Sequence, residues 1–225
     1  MICGVCLKES PQLWQLTDLI SVSFQAVGLC RHCQRKFHFL KEENVCPACC
    51  RRQKNKTCCT DCQKWRHFYP EKAPHEALLV YNEALASWME SYKFRGAYHL
   101  RFSFAQNIQQ ALSKLQDCVF VPIPLSPQRL QQRGFNQVTG LLAGAGLPYT
   151  ELLVKSAETT PQSQRTRQER LQLPQVFQIN PRITLSCQKV ILIDDIYTTG
   201  TTLVQGQKAL QQAGFQVVKT FSLAR

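Results

Sequence analysis

"VILIDDIYTTGTTL", Val190 to Leu203, sets an unbroken apolar run against two adjacent aspartates and a loop of four threonines around a glycine. Because the run does not alternate, it predicts a strand buried on both faces, as in the parallel sheet of an α/β protein. The acids then stand at the carboxyl end of that strand, the edge at which open α/β sheets bind ligands. "TTLVQGQKALQQAG" follows, with Leu203, Leu210 and Ala213 at helical spacing and Gly214 where a capping glycine belongs. The loop therefore feeds a helix N-terminus, whose free N–H groups and dipole favour an anion. Gly200 allows close backbone approach, and Thr198, Thr199, Thr201 and Thr202 add hydroxyl donors. Bare phosphate would be repelled by Asp194 and Asp195. A sugar phosphate removes that conflict: the carboxylates accept hydrogen bonds from ribose hydroxyls while the loop holds the 5′-phosphate.

The flanking sequence extends the same architecture. "FQVVKTFSLA" after the helix and "CVFVPIP" (118–124) before it read as strands, and "EALLVYNEALASWMESYKF" reads as a strand followed by a helix. "PQRLQQRGFNQVTGLLAGAG" reads as a loop entering a helix, with Arg129 and Arg133 able to bind pyrophosphate through planar, charge-assisted hydrogen bonds. "SAETTPQSQRTRQERLQL" (156–173) is polar, basic and without period, which predicts a mobile flap over the ligand. Its Arg165, Arg167 and Arg170 could meet pyrophosphate or a DNA backbone.

Ten of the 12 cysteines lie before residue 63, while nearly all the strand-like runs lie after residue 78. That shift places a boundary near Pro70 to Pro74, within "YPEKAPHE". Four C-x-x-C pairs stand in order: Cys3/Cys6, Cys30/Cys33, Cys46/Cys49 and Cys59/Cys62. Two such turns complete a tetrahedral Zn(II) shell, so two structural zinc ions are expected. Sequential pairing is the simplest arrangement. The spacing leaves interleaved pairing open, and Cys50 or Cys58 could replace a neighbour at the second site. The N-terminus lacks the basic and apolar regions of a secretion signal, which predicts a cytoplasmic protein with reduced thiols. No apolar run approaches the roughly 18 residues of a membrane span.

A formal charge of +12 favours an anionic partner, and it is shared. Residues 1–72 carry 12 basic against 6 acidic side chains, and residues 73–225 carry 15 against 9. The basic cluster Arg51, Arg52, Lys54 and Lys56 is a candidate nucleic-acid contact, with Trp65, Phe68 and Tyr69 as possible stacking surfaces nearby. No G-x-x-x-x-G-K-[ST] is present, which argues against an ATP-driven motor.

The stretch at Asp194 closely resembles the phosphoribosyl pyrophosphate signature of type I phosphoribosyltransferases. That resemblance implies Asp194 and Asp195 on the ribose 2′- and 3′-hydroxyls, Thr198 to Thr202 around the 5′-phosphate, and magnesium accompanying the pyrophosphate. Purine-salvage members usually carry an acid where this chain has Thr198, which argues against a purine substrate. With "YKFRG" (Tyr92 to Gly96), "RGFNQ" and the cysteine pairs, the whole chain resembles the ComF family of competence-associated proteins, of the ComFC type. The resemblance implies a double zinc-ribbon module over residues 1–70 and a type I phosphoribosyltransferase-like domain over residues 75–225. It also implies a role in DNA uptake for natural transformation, with single-stranded DNA and a ComFA-like helicase/translocase as partners. The family's flap commonly reads Thr-x-x-Gln, then Arg and Asn; Thr159, Gln162 and Arg170 fit, and the asparagine has no counterpart before Phe177. An active magnesium-dependent phosphoribosyltransferase is the alternative reading, for which the sequence supplies a donor site but neither an acceptor site nor a catalytic base.

Overall fold

Two short strands, β1 (Ile2–Cys3) and β2 (Val27–Gly28), pair in parallel at the start of the computed structural model, which describes residues 2–9, 27–115, 117–155 and 175–225. The cysteine-rich region continues through α1 (Arg31–Gln34) to α2 (Thr60–Phe68). β3 (His75–Leu79) opens the main sheet, and α3 (Glu83–Phe94) follows at once. The Asn82 side chain caps α3 by accepting from the Leu85 N–H, and Leu85, Trp88, Met89 and Tyr92 form its buried stripe at helical spacing. Past Gly96, at φ +68, a 3-10 turn over Tyr98–Phe102 leads into α4 (Ala105–Leu112).

β4 (Val119–Pro122) is the next strand of the sheet. The loop expected after it is in part a helix, α5 (Pro127–Arg133). Ser126 accepts from the Arg129 N–H at its start, proline occupies the first turn, and Gly134 closes it at φ +79. α6 (Gln137–Gly144) then begins at Asn136, whose side chain accepts from the Val138 N–H. An antiparallel pair, β5 (Leu153–Lys155) with β6 (Phe177–Ile179), was not expected from the sequence. The flap proposed over 156–173 lies outside the described residues.

β7 (Lys189–Ile196), α7 (Thr201–Gln212) and β8 (Gln216–Ala224) complete the domain. The four main strands run parallel in the order β3-β8-β7-β4, so β7 lies inside the sheet. Its side chains alternate between two buried layers, which is why the sequence does not alternate. Ile191 and Ile193 pack with Trp88, Tyr92, Leu112 and Leu142 from α3, α4 and α6. Val190 and Leu192 pack on the other side with Leu203 and Leu210 of α7. Cys46, Cys49, Cys59 and Cys62 belong to that second layer, so part of the cysteine module is built into the sheet's core. No helix among the described residues is long and apolar enough to cross a membrane.

Candidate functional site

Two cysteine tetrads form, in sequential pairing: Cys3, Cys6, Cys30 and Cys33, then Cys46, Cys49, Cys59 and Cys62. Within each, the sulfur atoms lie within 4.8 Å of one another. A tetrahedron with Zn–S bonds of about 2.3 Å has edges of about 3.8 Å; the Cys6–Cys30 and Cys49–Cys59 sulfur separations are 3.8 and 3.6 Å. The same local device builds both. In the first pair of each tetrad, the residue after the second cysteine turns left-handed, Leu7 at φ 58 and Cys50 at φ 57, and donates its N–H to the carbonyl of the first cysteine. In the second pair, Cys30 and Cys59 sit at the N-caps of α1 and α2, where backbone donors and the helix dipole favour a thiolate. Burial pushes the Cys3 thiol up, but the backbone N–H groups of Cys30, Cys6 and Val5 outweigh it and bring the group down to about 6. Cys49 is also held well below the ordinary thiol range, by a hydrogen bond from Cys62 and, against the effect of burial, by the Arg51 backbone and Arg225. Cys50 is not a ligand here, since its Sγ–H points to the His75 carbonyl at 3.2 Å.

The second site lies at the carboxyl edge of the sheet. Asp194, Asp195, Thr198, Thr202, Arg129 and Arg133 all line one cleft of about 270 Å³, which brings the predicted ribose, phosphate and pyrophosphate groups together. Asp195 follows Ile191 and Ile193 onto the α3 side, where its Oδ2 meets the Lys93 ammonium in a buried ion pair. Asp194 falls on the opposite face by alternation. Each aspartate also accepts a backbone N–H through Oδ1, from Asp195 at 2.8 Å and from Ile196 at 2.9 Å, which fixes both carboxylates. Burial pushes the Asp194 carboxyl well above the usual carboxylate range, and the charge of Asp195 adds to the effect. Burial likewise lowers the Arg133 guanidinium, while Asp195 opposes the change. The guanidinium also donates to the Gln137 side chain, so its fork is already oriented.

Thr199, Gly200 and Thr201 form the turn behind this cleft. Thr199 and Thr201 share a hydroxyl hydrogen bond of 2.9 Å, and Gly200 adopts φ +85 as the N-cap of α7. A Cβ at Gly200 would stand 2.2 Å from the Tyr197 hydroxyl, so glycine is required by contact as well as by dihedral. α7 has no side-chain cap bond and no acid in its first turn, which leaves an electropositive helix end beside the cleft. The sequence reading omitted Lys93, Gln137 and Lys155 from this lining. Lys93 lies within "YKFRG", so the motif was visible but its partner, 102 positions away at Asp195, was not. In "RGFNQ", Arg133 faces the cleft, while Phe135 packs against Tyr92 and Tyr98 with ring centroids at 5.2 and 4.7 Å.

No family model matches the chain. Among curated proteins, Competence protein ComFC of Streptococcus pneumoniae (strain ATCC BAA-255 / R6) is 39% identical over 225 residues, covering 100% of both chains. This is a member of the ComFC family of competence proteins. Competence protein ComFC of Bacillus subtilis (strain 168) is 29% identical, covering 100% of this chain and 95% of its own. Competence protein F of Haemophilus influenzae is 24% identical over 87% of this chain and 96% of its own.

In this ComFC-family chain the two sites touch. Trp65 of α2 donates its indole N–H to the Thr199 carbonyl at 2.8 Å, joining the second ribbon to the threonine loop. Arg225 donates to the Tyr197 and Thr198 carbonyls at 3.2 and 2.7 Å and reaches the Cys49 sulfur at 3.7 Å. Its guanidinium also stacks on the Tyr197 ring at 4.7 Å. Of the aromatics singled out as stacking surfaces, Tyr69 is buried and bonded to Gln211, whereas Phe68 is exposed. The Arg51, Arg52, Lys54 and Lys56 loop is exposed to solvent, with Arg51 paired to Asp61 at 2.8 Å.

Proposed function

We propose that this chain serves competence in the cytoplasm by handling incoming single-stranded DNA and by binding a phosphoribosyl pyrophosphate-type ligand at the carboxyl edge of its sheet. The observation that carries the ligand reading is the convergence of Asp194, Asp195, Thr198, Thr202, Arg129 and Arg133 on one cleft. In this reading Asp194 and Asp195 take the ribose hydroxyls, the Thr198–Thr202 turn and the α7 N-terminus take the 5′-phosphate, and Arg129 and Arg133 take the pyrophosphate. A magnesium ion carried by the pyrophosphate would neutralise its charge, and the two carboxylates are the hard oxygen donors nearest to hand. The named relatives support the role in competence, and DNA uptake is the step of competence proposed for this chain. Single-stranded DNA suits the exposed Arg52, Lys54 and Lys56, and a ComFA-like translocase is the expected protein partner.

Calorimetric titration with phosphoribosyl pyrophosphate and magnesium tests the ligand assignment. The wild-type chain is expected to bind. The Asp194→Asn/Asp195→Asn double variant is expected to lose binding, because amides cannot replace two anionic acceptors on the ribose. Its affinity for single-stranded DNA should be unchanged, and in both chains that affinity should fall steeply with salt. Equal ligand affinity in the two chains would remove the assignment, and a flat salt dependence would remove the basic loop as a DNA surface.

A further inference from the structure

"YKFRG" has a use inside the fold for four of its five residues. Tyr92 is buried and donates its hydroxyl to the Gln137 carbonyl at 2.9 Å, and Lys93 pairs with Asp195. Arg95 pairs with Glu90 at 2.8 Å, and Gly96 supplies the left-handed turn. Phe94, by contrast, is 71% exposed and lies under the Arg133 guanidinium at 5.0 Å from its ring centroid. It ends a second stripe of α3: Ala86, Met89, Glu90, Lys93 and Phe94 recur at i, i+3, i+4, i+7 and i+8 and line one side of a cleft of about 530 Å³. That stripe runs about 12 Å along the helix axis. α5 supplies another wall through Arg129, Gln132 and Arg133, at i, i+3 and i+4. This helix is 7 residues long and buries none of them. Helices so short are marginal alone in water and draw most of their stability from packing against a neighbour. The groove is therefore a half-built helix interface.

Charge decides what fits it. Within the groove Glu90 is already paired with Arg95, and Lys93 with Asp195. Arg129 and Arg133 make no salt bridge among the described residues, so two positive charges stand open beside an apolar wall. We propose that this groove docks an acidic amphipathic helix of a partner protein. Apolar side chains at i and i+4 of that helix lie along Phe94, Met89 and Ala86, while its carboxylates pair with Arg129 and Arg133. A second copy of the chain is a poor occupant, because each carries +12 and a two-fold contact would set the same guanidinium pair against itself. A nucleic-acid strand would bury polar base edges against the methyl and thioether groups of Ala86, Met89 and Ile196. Arg129 and Arg133 also line the ligand cleft, so the docked helix and the anionic ligand exclude one another. That exclusion rests on the pyrophosphate reading of the two arginines; the docking itself does not.

Selection from displayed random peptides of about 12 residues, ~18 Å as a helix, tests this on the full-length, zinc-loaded chain. Enriched peptides are expected to combine Asp or Glu with aliphatic or aromatic anchors at helical spacing. By fluorescence anisotropy, Phe94→Ser and Ala86→Glu should each weaken the best peptide by about 5- to 30-fold. Both positions are exposed or half-buried, so the variants should melt as the wild type does. Arg52→Gln/Lys54→Gln, in the ribbon loop, should leave the peptide's affinity unchanged. The proposal is overturned if no acidic peptide is enriched, if binding survives both groove variants, or if the ribbon-loop variant weakens it equally. It is also overturned if the groove variants release oligothymidylate and leave the peptide bound. Phosphoribosyl pyrophosphate with magnesium should displace the peptide. If it binds the chain on its own but leaves the peptide in place, the exclusion falls; if it does not bind at all, the donor reading falls and the docking stands on the groove variants.

Discussion

Stripping zinc from a zinc-loaded Cys46, Cys49, Cys59 and Cys62 tetrad is expected to unfold the main sheet along with its own ribbon. These sulfurs are buried in the same layer as Val190, Leu192, Leu203 and Leu210, whereas Cys6 and Cys30 of the first tetrad are only half-buried. A structural zinc site of this kind contributes on the order of 10 kcal/mol or more, comparable to the whole stability of a typical domain. Stepwise titration with a chelator should therefore release the more exposed metal first, disordering the segment around Cys3 to Cys33 with little change in the core. Release of the second metal should coincide with loss of near-UV dichroism from Trp88 and Tyr92. The second metal is also linked to the ligand cleft, because Arg225 bonds both Cys49 and the Thr198 carbonyl, and Trp65 bonds Thr199. By linkage, saturating phosphoribosyl pyrophosphate should raise the chelator concentration needed to remove that metal, and Trp65→Phe should weaken that effect. Release of both metals in one step, with no effect on the sheet's signals, would show that the tetrads are energetically separate from it.

The second large effect is a gain in stability. Asp194→Asn is expected to raise the melting temperature above that of wild type, while weakening the ligand. Burial holds the Asp194 carboxyl well above its ordinary range, so the neutral acid is the form that folding favours. Such a group contributes stability that is fully present below the unfolded carboxylate value and is lost as pH rises toward the folded one. Asparagine keeps the oxygen that accepts the Asp195 N–H and never ionises. The advantage of the variant should thus grow with pH above the ordinary carboxylate range, by about 1.4 kcal/mol for each pH unit crossed within the window. Each kcal/mol corresponds to about 2–4 °C in a chain of this size. His75 produces the opposite limb, since burial holds it well below the usual histidine range, so stability falls as pH drops through its folded value. Comparing the two chains cancels that limb. Melting curves that differ by a constant amount from pH 5.5 to 8.5 would remove Asp194 as the titrating group. A carboxyl kept at a stability cost fits a binding role, since the proposed ribose ligand would repay its ionisation only when bound.

The sequence made legible those features whose causes are local. The apolar run before Asp194 reads as a doubly buried strand, and the spacing of the cysteines points to two tetrads while leaving their pairing open. Ser126, Pro127 and Gly134 carried start and stop signals for α5, but the basic, glutamine-rich stretch between them has no buried residue and so no apolar period to reveal it. β5 and β6 are three residues each and separated by a long polar segment, too short for alternation to show. The contacts of Lys93, Trp65 and Arg225 escaped for a different reason. Their partners lie far along the chain, and neither periodicity nor spacing reports a contact that only the tertiary fold creates.

The edge position of β3 has a consequence for how the chain is made. β3 pairs with β8 alone among the described strands, and His75 meets Thr220 across 145 positions, as Cys49 meets Arg225 across 176. At about 5–20 residues per second, translation separates His75 from Thr220 by roughly 7–30 s. During that interval Phe39 and Leu40 can already bridge Leu79 and Leu78, but the β3 amides that β8 will pair and the ribbon's face in the sheet core stay uncovered. Misfolding risk in the cell is therefore set by elongation time and chaperone access in those seconds, a kinetic hazard that no equilibrium melting experiment on the finished protein would register.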